Sequence, residues 1–112
     1  MKEKIVYSLF VGRYQPVHFG HIKLIQSVLD EGKNVCIALR DTTRDKNNPY
    51  TIRQRKRMFK KIFGKKIKII KIPDIEEICY GRKVGWGIRE IRLDSQTEQI
   101  SATEIRSKNK KI

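Results

Sequence analysis

The chain has 112 residues, 38% hydrophobic and 34% charged, with 26 Lys and Arg against 12 Asp and Glu and a formal net charge of +14. That length suits one domain able to bury a core without disulfides, and the composition excludes a disordered chain. No apolar run approaches membrane-spanning length, and residues 1–7 carry too short an apolar stretch for a signal peptide, so no membrane association is expected.

In chain order, strand and helix periodicities alternate. Residues 4–11 form a β-rich apolar run. The segment Gly-Arg-Tyr-Gln-Pro-Val-His-Phe-Gly-His follows at 12–21 and places His18 and His21, the only two histidines, at a strand-to-helix turn opened by glycine. Ligands bind at such turns because a helix N-terminus offers free N–H groups and a positive dipole end. Residues 20–31 predict a helix with Ile22, Ile25 and Leu29 on one face, flanked by Leu24 and Val28, and with Gly32 just past its end.

Residues 34–39 read as a second buried strand, and 40–48 as a polar loop. Thr51 with Gln54 resembles a capping box, opening a helix with Phe59, Ile62 and Phe63 inward and Gly64 as its stop. Residues 65–72 predict a third strand, ended by Pro73. This β-α-β-α-β order predicts a parallel sheet with right-handed crossovers.

Beyond Pro73 the pattern weakens. Residues 74–87 hold a short helical turn at most, then a Gly-rich loop containing Trp86. Residues 88–93 predict a short strand. Ser101 with Glu104 forms another capping box, so a helix start with hydroxyls and Arg106 makes a second phosphate-binding candidate. The lysine-rich segment 107–112 reads as a flexible basic tail of one domain covering residues 1–112.

Cys36 and Cys79 lack the spacing of a zinc site or disulfide framework, so no protein metal site is expected and a reducing cytoplasmic compartment is. Eight cations fall between Lys56 and Lys71. A basic surface attracts polyanions. Nucleic acid is nevertheless the lesser candidate, because no aromatic interleaving or recognition motif accompanies the charge. Lysines solvating the outer faces of one helix and one strand account for the charge, and phosphorylated small substrates account for some of it.

Three separated segments make the chain recognisable: 12–21, quoted above; Asn-Pro-Tyr-Thr-Ile-Arg-Gln-Arg at 48–55; and Ile-Ser-Ala-Thr-Glu-Ile-Arg at 100–106. Together they resemble the HxGH nucleotidyltransferase (cytidylyltransferase-like) superfamily. The likeness is nearest to archaeal-type nicotinamide mononucleotide adenylyltransferases, which similarly place a Pro-Asp-Ile, here residues 73–75, after the third strand. The resemblance implies an α/β, Rossmann-like three-layer sandwich with a four- to five-stranded, mainly parallel sheet. It implies transfer of a nucleoside monophosphate, AMP as first choice, from ATP or CTP to a phosphorylated acceptor such as nicotinamide mononucleotide, with Mg2+ accompanying the triphosphate.

By that resemblance His18, His21 and Arg106 are catalytic. Gly12, Arg13, Tyr14, Gln15, Gly20, Arg55, Ser101 and Thr103 contact nucleotide or phosphate, while Asp41 and Trp86 lie on the acceptor side. Trp86 either stacks on a base or plugs the core. The chemistry agrees independently, since in-line displacement by an already anionic acceptor needs positioning and charge stabilisation rather than a nucleophilic side chain. Only residues 76–99 lie between the Pro-Asp-Ile and the final motif, where the adenylyltransferases have a longer stretch. Gln-Thr-Glu-Gln-Ile-Ser at 96–101 is similar instead to compact cytidylyltransferases that use glycerol 3-phosphate. A binding module without turnover is the remaining alternative. Open sheet edges favour self-association.

Overall fold

The computed structural model describes residues 4–82 and 85–98. Three parallel strands, β1 (Ser8–Gly12), β2 (Val35–Asp41) and β3 (Ile67–Pro73), lie in the order β1-β2-β3. They are joined by helices α1 (Phe19–Asp30) and α2 (Ile52–Phe63), and a 3-10 turn over Gly64–Lys66 leads into β3. A short helix α3 (Ser95–Glu98) ends the described part. No helix among the described residues is long and apolar enough to cross a membrane.

The β-α-β-α-β order and the parallel pairing are as expected. The first strand is shorter than its apolar run, for a register reason. Ser8 pairs with Val35, the first residue of β2, so residues 4–7 have no neighbouring strand among the described residues and remain exposed despite their β-prone side chains. Gly32 (φ +80°) and Gly64 (φ +59°) take the left-handed backbone that ends α1 and α2. Thr51 caps α2 as anticipated, its hydroxyl accepting from Gln54 N at 3.0 Å while the Gln54 side chain accepts from Thr51 N at 2.8 Å.

Val35, Ile37 and Leu39 alternate along one face of β2 and share a single buried cluster with Ile25 and Val28 of α1 and Phe59 and Phe63 of α2. Both helices therefore pack on the same side of the sheet. Two right-handed crossovers advancing in one direction require that placement. The expected three-layer sandwich is not seen, and neither is the fourth strand: the described sheet has three strands, and residues 88–93 form none. That segment meets α1 through side chains instead. Ile91 packs against the core, and Arg89 forms a two-pronged ion pair with Glu31.

Ile62, expected to face inward, is exposed. The buried row of α2 runs through Arg55, Phe59 and Phe63, at four-residue spacing, which leaves Ile62 on the flank. Cys36 is buried, as expected of a small core residue.

Candidate functional site

The site is built on the turn between β1 and α1, at the carboxyl end of the sheet. His18 is the N-cap of α1, in extended backbone (φ −135°, ψ 177°). Its Nδ1 accepts from Gly20 N at 3.1 Å, and His21 Nδ1 accepts from His18 N at 3.1 Å. This is a capping box made of two imidazoles, in which ring nitrogens replace the usual hydroxyl and carboxylate oxygens. The rings stack with centroids 3.7 Å apart and planes 19° from parallel.

Two consequences follow. An Nδ1 that accepts must be unprotonated, so each neutral ring carries its hydrogen on Nε2 and can donate it. Desolvation also disfavours the charged form. It lowers the pKa of His18, and burial together with the neighbouring His18 lowers that of His21 to about 3. Near neutral pH the pair is two uncharged N–H donors at a helix start. Gly20 permits their close packing, since a Cβ there would lie 3.0 Å from the His18 ring and 3.7 Å from the carbonyl of Thr97. Chain from the far end of the described segment thus comes to the head of α1. Asp94, which caps Thr97 and pairs with Lys23 at 3.2 Å, helps hold it there.

Behind the histidines the turn is braced by residues expected to touch phosphate. Tyr14 has φ +54° and points its ring into the core, edge-on to His21 at 4.7 Å and to Phe59 at 4.8 Å. Gln15 is 1% exposed and ties the turn to the next loop, donating to Tyr50 O at 2.9 Å and accepting from Tyr50 N at 2.8 Å. Arg55 is likewise 1% exposed, and its NH1 donates to the carbonyls of Arg13 and Arg40, both at 2.8 Å. Tyr14, Gln15 and Arg55 thus brace the turn from behind, and Arg55 also lines the open cleft at the end of β2. Their polar and aromatic groups are engaged with backbone and core, where leaving them unpaired would cost free energy.

Arg13 is the exposed cation of the turn, and its NH1 donates to Asn48 Oδ1 at 3.0 Å. Asp45 positions Asn48 by accepting from its backbone N at 2.9 Å and from its Nδ2 at 3.0 Å. Sequence reading missed Asn48. The Asp-Lys-Asn-Asn-Pro run at 45–49 carried the signal, because Asp before a turn accepts from the backbone two and three residues on. Gly12 ends β1 with Tyr14 folded over it.

Asp41 ends β2 in an open cleft of about 490 Å³, which also includes Thr42, Arg44, Arg53, Arg55, Lys56 and Lys71. The Thr42 hydroxyl is buried there without a hydrogen-bond partner among the described residues. Trp86 is exposed and meets Tyr80 edge-on at 5.8 Å, so it does not plug the core. Ser101, Thr103 and Arg106, with the 107–112 tail, lie outside the described residues. Among the described residues no three His, Cys, Asp or Glu side chains gather as metal ligands.

Several known proteins are similar to this chain. A nicotinamide/nicotinic acid mononucleotide adenylyltransferase of Acinetobacter baylyi is 39% identical over 57 residues, covering 49% of this chain and 30% of that protein. A nicotinamide-nucleotide adenylyltransferase of Pyrococcus horikoshii is 35% identical over 78 residues, covering 63% and 42%. The crystal structure of a bifunctional NMN adenylyltransferase/ADP ribose pyrophosphatase from Francisella tularensis, complexed with AMP and a manganese ion, superposes with a TM-score of 0.50 and 29% identity. It covers 62% of this chain and 22% of that one. The chain thus spans less than half the length of these relatives. The Cytidylyltransferase-like family profile matches residues 9–79, which include β2, β3, all of β1 but Ser8, and the histidine pair with its braces. The chain belongs to the cytidylyltransferase-like family.

Proposed function

We propose that this chain carries the catalytic turn of a nucleotidyltransferase that moves AMP from ATP to a phosphorylated acceptor of the nicotinamide mononucleotide type. An acceptor phosphate oxygen attacks the α-phosphorus, the bond to the β-phosphate bridge breaks, and pyrophosphate leaves. The observation that carries this reading is the stacked His18–His21 pair, with both Nδ1 atoms occupied by backbone and both Nε2–H groups left to donate. Neutral donors fixed before the reaction stabilise charge developing on the α-phosphoryl oxygens and need no reorganisation.

In the same reading Arg13, steadied by Asn48, holds a phosphate at the turn. Gly12 and Gly20 let backbone approach the nucleotide. Ser101, Thr103 and Arg106 take the β- and γ-phosphates. The acceptor lies on the Asp41 side, with Trp86 free to stack on a base. Magnesium travels with the triphosphate, and no protein cluster of the described part is assigned to it. It neutralises the leaving pyrophosphate. The names of the relatives favour an adenylyl over a cytidylyl donor.

Pyrophosphate release tests this, with ATP or CTP paired against nicotinamide mononucleotide or glycerol 3-phosphate. Release with ATP and nicotinamide mononucleotide is expected. Release confined to CTP and glycerol 3-phosphate supports the cytidylyl alternative. Triphosphate binding without release from any pair overturns the transfer reaction.

A further inference from the structure

We propose that the outward face of α2 binds the phosphodiester backbone of a nucleic acid. The proposal rests on where the charge sits. Eleven of the net +14 charges come from residues 46–73, which contain no acid, so the rest of the chain is close to neutral. A uniform bias toward lysine would have spread the excess along the whole sequence.

The fold gathers much of this charge on one surface. Arg53, Arg57, Lys60 and Lys61 stand at i, i+4, i+7 and i+8 of α2 on its exposed side, with the half-buried Lys56 at i+3 on the flank. Their row runs about 12 Å along the helix, at about 1.5 Å per residue. Lys65 and Lys66 extend it through the 3-10 turn. At the other end it runs into the cleft shared by Arg44 and Lys71, with its unpartnered Thr42 hydroxyl.

Among the described residues no acid pairs with the row. The ion pairs among the described residues involve Lys23, Lys33, Arg40, Arg89 and Arg92 and none of these cations. Asp41, the acid of the cleft, faces Arg55. Like charges three and four apart on a helix repel, so the row carries an energetic cost that a polyanion would relieve. Its ligand must be an extended anion, since the cations are strung out along two turns rather than converging on one point. A nucleic acid backbone fits better than a lipid surface: the apolar side of α2 is buried against the sheet and is not available to enter a membrane.

The test is fluorescence anisotropy of a labelled oligouridine titrated with the full chain at salt concentrations between about 50 and 200 mM. Binding should weaken linearly in log–log form. The triple variant R57Q/K60Q/K61Q should reduce the magnitude of that slope by about two, at about 0.7 for each phosphate no longer neutralised. A charge-matched control, K4Q/K33Q/R82Q, should leave it unchanged. Because α2's outer face lies away from the histidine turn, pyrophosphate release by the triple variant should match the parent chain, so this proposal and the transfer reaction fail separately.

Should the triple variant not fold, acetylation footprinting of the parent chain decides the matter, with oligouridine expected to shield Lys60, Lys61 and Lys65. The proposal is overturned by any of four results: no binding at low salt, equal slope loss in both variants, no lysine protection, or preferential binding to phosphatidylserine vesicles over RNA.

Discussion

The buried guanidinium of Arg55 donates to the carbonyl of Arg13 across 42 positions of sequence, and the same nitrogen reaches the carbonyl of Arg40. One side chain on α2 thereby fastens the loop after β1 to the end of β2, which sets the height at which the histidine turn leaves the sheet. Replacing Arg55 with Met takes its donor from the Arg13 carbonyl, while the Arg40 carbonyl keeps the Thr42 N–H at 3.0 Å. An unmet buried group costs about 1–3 kcal/mol, so a loss of about that size is expected in urea unfolding. An unchanged midpoint accompanied by weaker ATP binding would show that the guanidinium serves phosphate instead.

Removal of His18 separates two of its roles. His18→Ala deletes a preorganised donor, and turnover should fall by about two to three orders of magnitude. It also deletes the acceptor that caps α1, which should cost about 1 kcal/mol of stability. His18→Asn restores a capping acceptor without restoring the ring. Its unfolding midpoint should recover while its turnover stays low, as read by pyrophosphate release alongside urea titration.

The imidazole pair also makes stability pH-dependent with a definite sign. The unfolded chain titrates its histidines near 6.5, and the folded chain holds His21 down to about 3. Between those values the unfolded state binds more protons. The contribution to stability is therefore complete above 6.5 and is lost as pH falls toward 3. The slope for His21 alone is about 1.4 kcal/mol per pH unit. Urea midpoints measured between about pH 6.5 and 4.5, where carboxylates are still largely ionised, should fall in the parent chain and much less in His21→Asn. Parallel pH profiles for the two proteins would contradict the buried neutral imidazole.

Gly12 is a position where a single methyl group should be felt. A Cβ there would lie 2.9 Å from Cζ of Tyr14, and that ring has His21 on one side and Phe59 on another. Overpacking of this kind costs about 1–3 kcal/mol. Gly12→Ala should lower the thermal midpoint and, by displacing Tyr14 against His21, lower turnover as well. Gly81→Ala, where nothing lies within 4 Å, should leave both unaffected.

Much of the fold was legible in the residues because the deciding interactions are local. Thr51 and Gln54 stand three apart and close their own box, and Gly64 stops the same helix by a backbone conformation that glycine adopts without strain. The histidine turn was legible for the same reason. What the residues did not disclose was which distant partners their polar groups would meet. The sequence does not show that backbone carbonyls and amides from distant loops close around Arg55 and Gln15. Nor does it show that the left-handed backbone of Tyr14 turns its ring into the core. The strand expected at 88–93 had suitable side chains, and propensity alone supplies no neighbour for it to pair with.

The amino-acid sequence by itself determined the alternation of strands and helices, their caps and stops, and the placing of both histidines at one helix start, since each depends on residues within a turn of one another. Tertiary structure alone decided that the two helices share one side of the sheet, and that Arg55, Gln15 and Tyr14 support the site from beneath. It also decided that cations of α2 line up in a row with no ion pair among the described residues. Those outcomes depend on which distant groups meet, because a buried polar side chain takes its role from the partner that satisfies it.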